Sequence, residues 1–159
     1  MDKKIVLEKI RDHLKDELSY LMRAAVAAHD AATNEESKAE DQYDTRGLEA
    51  SYLAGAQSQR VSDVKKMLTL YQTIELVTFA PTDSIAATAL VELELGLKKS
   101  FYFIAPYGGG LTLDINGIGV QVITPQSPLG DELLGRKVGD SIEVEARNGT
   151  RTYRIKSLE

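Results

Sequence analysis

No cysteine occurs in the 159-residue chain, which removes disulfide staples, thiolate metal sites and a thiol nucleophile together and is compatible with a reducing compartment. Tryptophan is absent and phenylalanine occurs only as Phe79, Phe101 and Phe103, so an aromatic-lined ligand pocket is poorly supplied. No apolar run approaches the roughly 18 residues that a membrane span needs, and Glu8, Arg11 and Asp12 interrupt any signal-like apolar stretch near the start. The expectation is a soluble, cytosolic protein. Positive charge is also in deficit: 24 Asp+Glu against 19 Lys+Arg give a net charge of -5, which argues against wrapping duplex nucleic acid over a broad basic face. What remains is ordinary: 43% hydrophobic and 27% charged residues supply a packed core for one domain or two small ones.

Two grammars divide the chain, with the change near Phe79, Pro81 and Asp83. Leu7, Ile10, Leu14, Leu18, Leu21 and Ala25 recur in steps of three and four, the spacing of a helical stripe that faces a partner helix. A second periodic segment runs from about Leu48 to Ile74, with Leu53, Ala56, Arg60, Val64, Met67 or Leu68, and Tyr71 on one side. No proline precedes Pro81. Stripes this narrow do not stabilise isolated helices, so the two should pair as an antiparallel hairpin, roughly 40 Å long at about 1.5 Å per residue. Their join, residues 33–46, is polar and should form the tip, with Thr33 or Asn34 capping a new helix. Six acids (Asp30, Glu35, Glu36, Glu40, Asp41, Asp44) against Lys38 give residues 30–44 alone a charge of -5, leaving the rest near neutral.

From Ile85 onward, short β-type runs alternate with glycine and proline. Candidate strands are 88–95, 99–104, 119–123, 140–146 and 150–156. Asn148-Gly149 marks a hairpin turn, and Gly108-Gly109-Gly110 reads as a flexible hairpin turn, lacking the lysine and context of a phosphate-binding loop. Ser127 as N-cap, Pro128 in the first helical position and Gly135 past the end delimit one short helix. The fold class expected is α+β: a helical hairpin over residues 1–78 and a small antiparallel domain with one short helix over 79–159.

The run Ser127-Pro128-Leu129-Gly130-Asp131-Glu132-Leu133-Leu134-Gly135-Arg136-Lys137-Val138-Gly139-Asp140, followed by Gly149, Tyr153, Ile155 and Leu158-Glu159, resembles the C-terminal domain of the bacterial GreA/GreB transcript cleavage factors. A helical hairpin with an acidic tip, and Tyr43 soon after, extends the resemblance across nearly the whole chain. It implies a coiled-coil hairpin joined to a domain similar to FK506-binding proteins. It also implies a partner, RNA polymerase: the C-terminal domain docks at the rim of the secondary channel, and the hairpin tip enters to help hold a second Mg²⁺. On that reading the protein is not itself an enzyme, acts as a monomer, binds no cofactor alone, shares Mg²⁺ with the polymerase and meets the transcript 3′ end only inside the complex.

With Tyr43 on the family's tyrosine, Glu36 falls on one acidic position but Ala39 on the other. A shift of one residue places Glu40 there, and Glu36 and Glu40 at i, i+4 share a helical face. Asp41 and Asp44 form a further pair. Glu36, Glu40 and Asp41 are the candidate catalytic and Mg²⁺-binding residues, since carboxylates are the hard oxygen ligands Mg²⁺ favours. Ser127, Pro128 and Leu129 form the candidate polymerase-binding edge, although cap, helix start and core would equally explain them. His13 and His29 are too separated for a metal pair, and Ser127 lacks a base. Lys65, Lys66, Lys98, Lys99, Arg136 and Lys137 would attract RNA or an acidic rim only if they converge. Alternatives are a non-cleaving channel regulator, a prolyl isomerase or chaperone built on the C-terminal fold, and a dimerising coiled-coil adaptor.

Overall fold

A computed structural model describes residues 1–33, 46–146 and 149–159. The chain divides into two compact units, one of Arg11–Thr73 and one of Met1–Ile10 with Ile74–Glu159. The architecture is α+β, as the sequence implies: among the described residues, two long helices precede six strands and one short helix.

Helix α1 spans Lys3–Thr33 and α2 spans Arg46–Thr73. Asp2 caps α1, its Oδ1 accepting from the Lys4 N–H at 2.8 Å. Within the helical unit, Arg11 donates through Nε to the Tyr71 carbonyl at 2.9 Å, and Arg60 pairs with Glu17 at 2.7 Å. These two contacts run in opposite senses along the helices, which makes the hairpin antiparallel. Helix α2 has no basic residue in its last turn; Arg11 supplies from α1 the cation that its unsatisfied carbonyls favour.

The stripe expected on α1 is the one that turns inward: Leu14 and Ala28 are buried, with Leu18, Leu21 and Ala25 half-buried between them. On α2 the expected stripe is displaced in its first half. Leu53, Ala56 and Arg60 are exposed, while Ala54, Gln57 and Val61 take the inner positions and lead into buried Val64 and Tyr71. The sequence 54-57-61-64-68-71 keeps steps of three and four throughout. Thr33 does not cap a new helix; it ends α1, its hydroxyl donating to the His29 carbonyl at 3.0 Å.

In the second unit, β1 (Leu90–Leu95), β2 (Lys98–Ile104), β3 (Thr112–Ile115), β4 (Ile118–Ile123), β5 (Ser141–Ala146) and β6 (Gly149–Leu158) form one sheet in the order β3-β4-β2-β1-β6-β5. Helix α3 covers Pro128–Leu133. All pairings are antiparallel except β2 with β4, which is parallel. That pairing follows from β3, a strand the sequence reading left out. The glycines at 108–110 are not a hairpin turn; they lie in the connection that carries the chain from β2 to β3, and β4 then returns beside β2. The tight turn is Asn116-Gly117, both at positive φ (55° and 83°) between paired Ile115 and Ile118, the type I′ geometry of a two-residue hairpin.

Strand β1 starts later than residue 88 because Thr88 holds a φ of 70°. Thr88 is nevertheless tied down: its N–H donates to the Ile104 carbonyl at 2.7 Å and its hydroxyl accepts from the Val77 N–H at 3.0 Å. At the other end of the sheet Gly149 (φ 108°) pairs with Ala146 and so opens β6 rather than sitting mid-turn; Asn148 lies outside the described residues.

On one sheet face Val91, Leu93, Tyr102, Ile104, Ile142 and Ile155 pack with Leu133 of α3, and the opposite face is buried as well, through Leu90, Phe103, Val120 and Val122. Fully burying a side chain such as Leu133 contributes about 1.5–3 kcal/mol. Val6, Leu7 and Ile10 from the start of α1 are also buried and belong to this unit. Lys3 anchors that segment, donating to the Val77 carbonyl and standing 4.7 Å over the Phe79 ring. Burial lowers the Lys3 pKa, against the opposing attraction of Glu159.

Candidate functional site

Strand β4 ends at Ile123, and the chain turns into α3 through a loop whose conformation is fixed by three interactions at Ser127. Its hydroxyl donates to the Thr124 carbonyl at 2.7 Å and accepts from the Gly130 N–H at 3.1 Å, while its own N–H donates to the Thr124 carbonyl at 3.0 Å. Ser127 is the N-cap and Pro128 follows at the first helical position, where a missing N–H costs nothing. Gly130 completes the arrangement. A Cβ there would stand 2.0 Å from the Thr124 carbonyl oxygen, so close approach, rather than an unusual φ, demands glycine.

The three predicted docking residues are thereby brought together in distinct roles. Ser127 locks the loop, Pro128 is exposed, and Leu129 is half-buried against the core. Beyond the helix, Gly135 at φ 77° donates to the Ile85 carbonyl at 2.9 Å, and the Ile85 N–H donates to the Arg136 carbonyl at 2.8 Å. The whole segment is therefore clamped at both ends, presenting Pro128, Leu134 and Arg136 outward on a fixed backbone. Gly130 is the residue that sequence reasoning passed over. Its signal was a glycine inside a six-residue helix, where it is unfavourable unless something must come close.

Glu36, Glu40 and Asp41 lie outside the described residues. Among the described residues no cluster of three His, Asp or Glu side chains is arranged to hold a metal ion. His13 and His29 are both exposed on α1. The basic residues occupy several different elements: Lys65 and Lys66 on α2, Lys98 and Lys99 on β2, Arg136 and Lys137 after α3. Two of them are taken up locally. Lys99 pairs with Glu92 at 2.8 Å, and that hydrogen bond raises its pKa; Arg136 lies 3.8 Å from Glu132. No helix among the described residues is long and apolar enough to cross a membrane.

Residues 115–159 match the family described as "Transcription elongation factor, GreA/GreB, C-term". Over most of its length the chain is similar to the transcription elongation factor GreA of Thermotoga petrophila, 24% identical with 95% of this chain and 91% of that protein covered. GreA of Desulfovibrio desulfuricans is 32% identical over 64% of this chain and 59% of its own. Among solved structures, the GreA factor homolog 1 protein of Thermus thermophilus shares 19% identity over 94% of each chain with a TM-score of 0.40.

Proposed function

We propose that this chain, whose residues 115–159 match the GreA/GreB C-terminal family and which is similar to GreA over most of its length, is a GreA/GreB-like transcription elongation factor that binds RNA polymerase at the secondary channel and stimulates cleavage of backtracked RNA. The observation that carries the proposal is the clamped Ser127-Pro128-Leu129 loop, which falls inside the segment matched to the family's C-terminal domain. A loop held by its own hydrogen bonds loses little conformational freedom on docking, so more of its contact energy is left for affinity.

In this reading the helical hairpin enters the channel and the carboxylates of Glu36, Glu40 and Asp41 reach the polymerase active site. Their hard oxygen donors suit Mg²⁺. A second metal held there supplies stabilisation of the attacking and leaving oxygens in phosphodiester hydrolysis. The chain contributes ligands and reach; the polymerase performs the chemistry. The protein works as a monomer, with Mg²⁺ shared only within the complex.

The non-cleaving alternative is favoured by one specific feature, Ala39 standing where the Tyr43 register calls for an acid. Stalled, backtracked elongation complexes distinguish the two. Accelerated release of short 3′ RNA fragments on adding the protein supports cleavage stimulation, whereas retention on core polymerase without acceleration supports the regulator. Failure to be retained by core polymerase at all overturns both.

A further inference from the structure

Strand β5 is an edge of the sheet, bordered by β6 alone. Its register with β6 is continuous from Ser141↔Arg154 to Ala146↔Gly149, without a bulge, and it contains neither proline nor lysine. Natural sheets commonly blunt an edge with one of those devices. The Ile155 N–H donates to the Asp140 carbonyl at 2.9 Å. Since inward and outward groups alternate along an antiparallel strand, the even-numbered residues bond to β6, and Ser141, Glu143 and Glu145 turn their N–H and C=O groups away from the sheet. No backbone hydrogen bond from α3 or any other described segment reaches those groups. Helix α3 stands alongside β5, so that the edge forms one wall of an open groove whose rim carries Asp131, Glu132, Glu143 and Glu145. Of these, only Glu132 has a basic partner among the described residues, Arg136.

We infer that the β5 edge binds an extended, basic segment of a partner protein, which adds to the sheet as a seventh strand with lysine or arginine at alternate positions. The charge pattern selects this occupant over a second copy of the chain. Two β5 edges paired together would set Glu143 and Glu145 against the same residues of the other copy, and like charges across a strand pair are destabilising. A basic strand reverses that sign. Backbone hydrogen bonds to Ser141, Glu143 and Glu145 give affinity, and the glutamates on the exposed face choose the partner's side chains. The reading needs no polymerase, so it stands or falls separately from the function proposed above.

The probe is a synthetic hexapeptide of sequence Lys-Val-Lys-Val-Lys-Thr, blocked at both ends, titrated into the ¹⁵N-labelled full-length protein. The expected result is slowed amide exchange at Ser141, Glu143 and Glu145, weakened by added salt, with no such effect from Glu-Val-Glu-Val-Glu-Thr. Glu143→Gln, which keeps the N–H but removes the charge, should weaken binding by about two- to fivefold. Glu143→Pro removes an N–H that faces away from the sheet, a position where proline is tolerated in edge strands, and should abolish binding. Should that variant not fold, the double variant Glu143→Lys/Glu145→Lys decides the matter, because it should invert the preference toward the acidic peptide. Equal binding of both peptides, protection that maps away from residues 141–145, or an uninverted preference in the double variant overturns the inference.

Discussion

Gly130 fixes the distance between two turns of chain that must nearly touch. Its missing side chain lets the Thr124 carbonyl approach close enough to receive both the hydroxyl and the N–H of Ser127. In Gly130→Ala the obstructing atom belongs to the backbone, so no flexible side chain can yield and the loop itself has to shift. Overpacking of this kind costs about 1–3 kcal/mol. Urea denaturation should show the midpoint falling with an unchanged slope, and retention on core RNA polymerase should weaken because Pro128 and Leu129 move with the loop. A stable variant that binds as the parent does would show that the loop's position is not what docking reads. At Tyr71 the constraint is electrostatic. The ring is almost wholly buried and burial pushes its pKa up to about 12, against about 10 in an unfolded chain. Between those values the unfolded state has released the phenolic proton and the folded state has not, so stability is intact below pH 10 and declines as pH rises toward 12. Tyr71→Phe should remove this component of the alkaline decline, as followed by thermal melting across that range.

The helices and strands were legible in proportion to how much of their pattern is carried by large side chains. Helix α1 announces its inner face through leucines at three- and four-residue steps, and that face is the one buried. Helix α2 offers Leu53 as a large apolar residue in its first half, yet Leu53 is 54% exposed and the inner positions go to Ala54 and Gln57. Ala54 and Gln57 are too small or too polar to mark that face in a pattern read from large apolar side chains. The two stripes make different predictions under mutation. Val64→Ala, at a buried position, should cost about 2 kcal/mol through lost burial and the void left behind, whereas Leu53→Ala should stay within about 0.5 kcal/mol. Chemical denaturation of both variants checks this, and a larger loss at Leu53 would restore the displaced stripe. Strand β3 was missed for another reason: four residues give too short an alternation to read, and its partner turn Asn116-Gly117 is the same signal that marked Asn148-Gly149. Of the candidate site, the Ser127 cap, Pro128 and Gly135 could be read because each has a local backbone duty. The need for Gly130 could not, since it depends on Thr124, a contact that only the folded loop creates.

For the molecule as a whole, charge distribution separates the two parts of the proposed function. Six acids and one lysine within residues 30–44 account for a charge equal to the net -5 of the chain, so the remainder is close to neutral and affinity for polymerase need not depend on those acids. Docking and cleavage should therefore separate by mutation. Glu36→Ala/Glu40→Ala/Asp41→Ala removes three negative charges, and the expected outcome is loss of stimulated cleavage with retention on core polymerase preserved. The salt response adds a second readout. On the proposed function, attraction between the acids of residues 30–44 and a metal-bearing channel should weaken as ionic strength rises, because the Debye length shrinks from about 10 Å at 0.1 M salt to about 3 Å at 1 M. Contacts of the clamped loop, made by a proline and a half-buried leucine, should be less sensitive. Cleavage that persists in the triple variant would move the metal ligands to other acids of the same stretch, Asp44 foremost. Loss of polymerase binding together with cleavage would instead mean that the tip, rather than the Ser127-Pro128-Leu129 edge, supplies the affinity.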